Sequence, residues 1–455
     1  MQTQNTSTIK QILPQVKEKS AAPLYKDILL GLLLLTTPFL LFPNGYGLLA
    51  LLVLPTIWLI RWVLVGRIAP RTPLDWPILL ILLMVLASMG ATFDLSFSIG
   101  KIAGVLLGIV IFYAIVDLTD TQSSLQAVIT FFILAGLGLA IVSALGARWP
   151  HKFPLLQPLL DQLPHVLEGV READSGFHPN QVGGVLIFFI PLQVVLLGYW
   201  LKKTISRSPY LEGTNFSHRS ARVEKVRGAL GVILLAISLL TTAGVLLLSQ
   251  SRGAMGGLVA GLVTIAAVRT RWGKMLAVFG LVALLVVINS GAGEDLVTSG
   301  LETETAGTIH LDGRLEIWSR ALQGLADFPL GMGMNNFRRV MPILYPAFTV
   351  SPTKDIAHAH NHLLQAGLDL GIPGLIAYLA LWLVAGFLLY QVVLGSGAQF
   401  YKVIALGLVG SFTAYFIYGI TDTVALGAKP GFVFWWALGL VVAIYNLFYK
   451  DKSIS

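Results

Sequence analysis

The densest group of chemically capable residues is the run His358-Ala359-His360-Asn361-His362, followed by Gly371, Pro373 and Gly374. Imidazole changes charge near neutral pH, so such a run can move protons or ligate a metal. On a helix His358 and His362 would share a face, with Asp355 nearby. No carboxylate stands at a recognisable ligand spacing, so the reading is proton chemistry and no metal.

Arginines form the second group. Arg252 lies in Ser249-Gln250-Ser251-Arg252-Gly253, between two apolar stretches with almost no loop. A charge so close to hydrocarbon is costly and is a functional candidate by default; the plainer reading is a head group that snorkels to the interface. Arg314 follows Asp312-Gly313, and Arg338 and Arg339 follow Gly331-Met332-Gly333-Met334-Asn335-Asn336-Phe337. Guanidinium stays charged and grips phosphate bidentately, so an outward-facing arginine set suits a diphosphate. Against that, Arg314 and Arg320 could be a solvated helix face, and Arg338 and Arg339 headgroup contacts. The Gly331-Met332-Gly333 segment reads as a turn, because neither a preceding strand nor the full dinucleotide pattern is present. His178-Pro179-Asn180-Gln181 reads as a helix start, Thr421-Asp422-Thr423 as a turn, and Arg61 as a snorkelling residue.

These residues must be held by membrane helices. Of the 455 residues 55% are hydrophobic and only 12% charged, and the mean hydropathy is +0.77. Soluble domains carry about 25% charged residues. The apolar residues fall in windows near 27–43, 47–65, 74–91, 97–116, 125–147, 182–201, 229–249, 253–268, 275–290, 363–394, 403–420 and 431–449. Lipid offers the backbone no hydrogen bonds, so such windows must be helical. The expected architecture is an all-α polytopic membrane protein with about twelve transmembrane helices over 27–450 and tails at 1–26 and 451–455.

Lysine and arginine set the expected orientation. With the N-terminus inside, inside segments hold about 20 of the 31 basic residues, which predicts both termini in the cytoplasm. The tail 1–26 lacks an apolar stretch with a cleavage site, so no signal peptide is expected. The basic segment 202–228 reads as a disordered cytoplasmic loop. Segments 148–181 and 291–360 become long extracytoplasmic loops. The second holds an amphipathic helix at 314–325, capped by Asp312, with Leu315, Trp318, Leu322 and Leu325 on a face suited to the membrane interface. This topology puts His151, His165, His178, His310, His358, His360 and His362 outside, leaving only His218 inside. The net charge of +8 is explained by basic loops, since no aromatic-interleaved basic domain suggests nucleic acid. With no cysteine, disulfides, thiolate metal sites and thiol nucleophiles are excluded.

Over roughly 175–450 the chain resembles the O-antigen ligase and polymerase superfamily of bacterial glycan-assembly membrane proteins. The resemblance rests on Pro179-Asn180, on Ser251-Arg252-Gly253, and on the run from Gly313-Arg314 through Trp318 to Pro329-Leu330-Gly331-Met332-Gly333 and Phe337. It is completed by His360-Asn361, nine residues, then Gly371-Ile372-Pro373-Gly374. It implies a twelve-helix, metal-independent glycosyltransferase of the bacterial inner membrane, with no cofactor. Such an enzyme moves a glycan from a polyprenyl (undecaprenyl) diphosphate carrier to a lipid or protein acceptor on the periplasmic face, in lipopolysaccharide or polysaccharide biosynthesis. By motif match Arg252 and Arg314 bind the diphosphate and His360 is the catalytic base. His358 or Asn361 would orient it, and Arg338, Arg339 and Asn180 are supporting candidates. The flanking His358 and His362 depart from the family's single His-Asn core and leave the choice of base open. Attack opposite the leaving group would invert the anomeric centre. Two other readings stand beside the ligase: a polymerase of lipid-linked repeat units, and a small-solute transporter of the bicarbonate type. A transporter should hold ionisable residues near mid-membrane between broken helices, whereas here they cluster at the outer edge.

Overall fold

The computed structural model describes residues 25–32, 52–92, 94–150, 154–164, 177–206, 218–289, 311–347, 356–424 and 426–454. Most of the tail 1–26, much of both long outer loops, and His151, His165, His310 and Asp355 lie outside the described residues.

The described residues are helical, with no strand among them. In chain order the helices are α1 (25–32), α2 (Val53–Val65), α3 (Asp75–Ala91), α4 (Leu95–Leu118) and α5 (Gln122–Gly146). They continue with the short α6 (Gln157–Leu160), then α7 (Pro179–Leu186), α8 (Ile190–Ser206), α9 (His218–Leu248), α10 (Arg252–Arg269) and α11 (Arg271–Asn289). The last are α12 (Leu311–Asp327), α13 (Phe337–Leu344), α14 (His362–Leu394), α15 (Gln399–Thr421) and α16 (Phe432–Ile454). Every apolar window of the sequence overlaps a helix, although 33–43, 47–51 and 290 lie outside the described residues. Eight of the described spans, counting α7 and α8 as one, are long and apolar enough to cross a bilayer, and α2 and α3 are shorter apolar helices.

Three expectations are corrected. The basic segment 202–228 is not one loop: α8 runs to Ser206 and α9 begins at His218. Helix formers such as Arg222, Glu224 and Lys225 extend the apolar helix outward. The amphipathic helix α12 starts at Leu311, so Asp312 lies in its first turn and does not cap it. Its seated stripe is Gly313, Ile317, Ala321 and Gly324, packed over Met332 and Leu368. Leu315 and Leu322, on the face expected to meet the membrane interface, are 50% and 57% exposed on the opposite side of the helix. Arg61 does not snorkel: it is 7% exposed. Its Nε and Nη2 donate to the two Asp117 carboxylate oxygens at 2.9 and 3.0 Å, with Tyr25 Oη donating to the same carboxylate.

Two packing devices position the end of the bundle that carries the histidines. Gly257 and Gly261 of α10 leave no room for a Cβ beside the Ala414 and Gly410 carbonyls of α15, so the two backbones touch and fix each other. The second device is a break. Gly371 interrupts α14 with φ +72°, a conformation only glycine takes without strain, and Pro373 follows without an N–H. The backbone groups freed there are taken up by the segment after α12. Met332 N–H donates to Leu368 O and Ile372 N–H to Pro329 O, each at 2.8 Å. The Pro329–Gly333 and Gly371–Gly374 motifs are thus two halves of one joint. Deeper in the bundle, Gln193 on α8 bonds Ser238 and Thr242 on α9, all three buried, tying those helices by polar contacts.

Candidate functional site

The three histidines of the run do not share a helical face. Residues 358–361 are irregular, and α14 begins at His362. Asn361 is its N-cap, with Oδ1 accepting from Leu363 and Leu364 N–H at 2.9 and 3.1 Å. Its Nδ2 donates to Ile420 O at the end of α15. Asn361 therefore fixes the backbone at the start of α14. This cap turns the histidines to different sides.

His362 points inward. It is 3% exposed and sits among Tyr378, Trp382, Tyr415 and Phe416, each ring nearly perpendicular to it. Its Nδ1 is 3.0 Å from Tyr378 Oη. It lines a small cavity with Gln365, Asp369 and Tyr378, and its Nε2 has no hydrogen-bond partner among the described residues.

His358 and His360 stack edge to face with ring centroids 4.3 Å apart. Both face Asp422, which the α15 backbone presents as its C-cap residue. His360 Nδ1 is 3.3 Å and His358 Nε2 is 3.9 Å from Asp422 Oδ1. The Asp422 side chain is almost wholly buried. Its Oδ2 accepts from Asn180 Nδ2 at 2.8 Å, and its Oδ1 accepts from Thr423 N–H at 2.8 Å. Tyr418 Oη donates in turn to Asn180 O. Burial would raise the Asp422 pKa, but His360, then His358, then Arg314 outweigh it and hold the carboxyl well below its usual range. His358 is pushed down to about 3, by burial first and then by the charge of neighbouring His360. One buried carboxylate thus faces two imidazoles, His360 the nearer of the two. His360 also has φ +49°, in the left-handed region, which costs a residue with a side chain about 1–3 kcal/mol. Gln250 and Asn335 share this conformation, so each of three motif segments contains one backbone outlier.

The arginines arrive from two other elements. Ser249 Oγ donates to Leu246 O at the end of α9, and Ser251 caps α10 through Ala254 N–H. Arg252 is thereby the first residue of α10 and is exposed. The adjacent Gly253 lies against Thr421, the neighbour of Asp422. Arg314, in the first turns of α12, is half-buried, its Nε without a partner among the described residues. It lies close enough to Asp422 for its charge to favour the carboxylate. Arg338 is exposed on α13. Arg339 is committed elsewhere: it pairs with Asp94 at 3.1 Å and stacks over Phe97 at 4.2 Å. The N-termini of α7, α10 and α14 meet around Asp422, adding three positive helix ends to the arginines. An ionised acid and a dipolar cradle for anions stand side by side.

Asp422 is the residue that sequence reasoning missed. It lies in a short turn far along the chain from the histidines, and only the packing of α15 beside α14 brings it to them. It also supplies the carboxylate that sequence spacing lacked. His358, His360 and Asp422 each present one ligand atom within 4.8 Å of the others.

Comparison with known proteins gives the site a context. Residues 236–379 match the family described as O-antigen ligase. No curated protein matches the chain. The matched segment runs through Arg252, Arg314 and His360 to the Gly371 joint, and leaves out Asn180 and Asp422. Over this segment, about a third of its length, the chain is similar to the O-antigen ligase family of membrane proteins.

Proposed function

We propose that the protein is a ligase: a metal-independent, inverting glycosyltransferase that moves a glycan from a polyprenyl diphosphate to an acceptor hydroxyl on the extracytoplasmic face. The observation that carries this reading is the contact of His360 with buried Asp422 beside Arg314. With His360 Nδ1 turned to the carboxylate, the tautomer that serves has its proton on Nδ1 and a lone pair on Nε2. Nε2 takes the acceptor's hydroxyl proton as its oxygen attacks the anomeric carbon. The bond from that carbon to the diphosphate oxygen breaks on the opposite face, and the carrier leaves as its diphosphate. Arg252 and Arg314 stabilise the charge that gathers there. Asp422 stabilises the imidazolium, and Asn180 holds Asp422.

The residues that could bind a metal are His358, His360 and Asp422. The charge around them opposes a dication: Arg314 and the N-termini of α7, α10 and α14 already stand beside a single carboxylate. The transporter reading draws on Lys101 and Asp369, which lie inside spans beside a broken helix. The two pair with each other at 3.7 Å, and Asp369 is further held by Gln365 and Asn335. The basic cytoplasmic loops support an inner-membrane protein with both termini inside and 148–181 and 291–360 outside.

The test is mass analysis of lipid-linked glycans in cells lacking the gene. Accumulated full-length chains are expected; single repeat units would make the enzyme a polymerase, and no accumulation would remove the glycosyltransferase reading. His360→Ala should reproduce the deletion with protein folded and inserted, a loss of about 100- to 10,000-fold in transfer. Excess EDTA should leave transfer unchanged, and inhibition restored by one added metal would sink metal independence.

A further inference from the structure

Lys101 on α4 and Asp369 on α14 face each other at 3.7 Å inside two membrane-spanning helices, both largely buried. Charges at this depth are expensive, and they persist where they serve a function. Asp369 is more than half of an ion pair. Its Oδ1 accepts from Gln365 Nε2 at 2.9 Å and from Asn335 N–H at 3.1 Å. Gln365 Oε1 accepts from Ala359 N–H at 2.8 Å. Ala359 is fully buried and stands between His358 and His360. Asn335, itself at φ +68°, donates through Nδ2 to Phe97 O, one turn before Lys101. An unbroken line of bonds therefore runs from α4 through α14 to the backbone on which the two outer histidines hang.

We infer that Lys101, Asp369 and Gln365 form a positioning relay for His360, fixing the backbone of Ala359 so that the His360 ring stays against Asp422. The inference rests on His360 being the base. A left-handed residue with a side chain persists only when its surroundings over-determine it. The bond from Ala359 to Gln365 supplies that constraint at the residue next to His360. The roles divide by chemistry. Gln365 carries both a donor and an acceptor, so it can join a backbone N–H to a carboxylate. Asp369 offers Oδ1 to two N–H donors at once, while its Oδ2 faces Lys101. A pair that only stapled α4 to α14 would need neither Gln365 nor a contact to Ala359.

The two roles differ in what they do to turnover. Full-length protein is purified, placed in proteoliposomes, and given lipid-linked glycan and acceptor lipid extracted from cells lacking the gene. Gln365→Met should lower kcat about 100-fold, the size of effect that a displacement of about 1 Å at a reacting group produces. The donor KM should stay within about twofold, because the arginines are untouched. Asp369→Asn should lower kcat about tenfold, and the double variant should be no worse than Gln365→Met alone, since both act along one line. Normal kcat per folded molecule in Gln365→Met overturns the relay. So does a double variant whose loss equals the product of the singles. A second readout needs no turnover: diethyl pyrocarbonate should modify His360 several-fold faster in Gln365→Met, read by mass spectrometry, and an unchanged rate counts against the relay. If Gln365→Met does not fold, Gln365→Asn, too short to reach Ala359, takes its place in both assays. An inactive His360→Ala with an active Gln365→Met defeats the relay alone. An active His360→Ala defeats the assignment of the base, and the relay with it.

Discussion

The two ends of the helix bundle use the same side chains to opposite effect. At the inner end Arg61, Asp117 and Tyr25 form a closed set: the guanidinium is bidentate on the carboxylate, a third Arg61 bond goes to Arg67 O, and the tyrosine donates to the same acid. Every charge there is matched by a neighbour of opposite sign. At the outer end one acid, Asp422, stands among two imidazoles, Arg314, the nearby Arg252 and three helix N-termini. Positive charge is in excess, and Arg314 Nε is buried without a partner among the described residues. A closed network stabilises a fold. An open one has something left to bind, and its unmatched sign calls for an anion.

Breaking each end separately should give different phenotypes. The largest effect belongs to the outer arginines. Arg314→Ala or Arg252→Ala should cut transfer about 100- to 1,000-fold, as expected for loss of one stabiliser of developing charge. The melting temperature should hardly move, because neither side chain completes a described bond. Asp422→Asn should come next, at about 10- to 100-fold, the scale for a partner that orients a working histidine. Its donor KM should stay near normal, and a raised KM with normal kcat would shift Asp422 into donor binding. Arg61→Met should leave turnover per folded molecule intact and cost about 3–5 kcal/mol of stability, since it strands a buried carboxylate. A silent but fully stable Arg61→Met would erase the contrast between the ends.

The smallest effect is a pH dependence of stability. His358 is held down to about 3, mainly by burial, against 6.5 when free. Between those values the unfolded chain binds a proton that the folded chain refuses. Stability from this residue is therefore full above pH 6.5 and declines as pH falls toward about 3. Asp422, whose pKa is depressed, adds a loss only below its ordinary 3.8. Melting temperature recorded against pH in detergent should fall through the first window, and His358→Asn should flatten that fall by a few degrees. An unchanged slope in the variant would mean that another group governs acid lability.

Residue type and local order made much of this legible. Arg252, Arg314 and His360 stand out because charge beside an apolar window and imidazole beside a helix start are rare on energetic grounds. The apolar windows find helices because lipid permits little else. Partnership was not legible. Asp422 reads as a turn because its partners lie on other helices. Arg61 reads as a snorkelling residue until Asp117 is seen facing it. His362 matches His360 in type, and only the cap at Asn361 and the aromatic rings behind it separate their roles. The apolar stretch 363–394 gives no hydropathic sign of a break, although Gly371 and Pro373 are present in the sequence. On α12 the apolar Leu315 and Leu322 stripe was legible, whereas the second face, where the small Ala321 and Gly324 allow close approach to the bundle, was not.

The joint at Gly371 bears on how the protein meets bilayers of different thickness. At 33 residues, α14 would reach about 50 Å if straight, against about 30 Å of hydrocarbon. Hydrophobic mismatch of that kind is normally relieved by tilting the whole helix, which would swing His360 away from its partners. Because the helix is interrupted, the membrane-buried length below Gly371 can lean while the outer stub, moored through Leu368 and Asp369, keeps its bearing. Geometry at the outer surface is thereby insulated from the mechanics of the lipid.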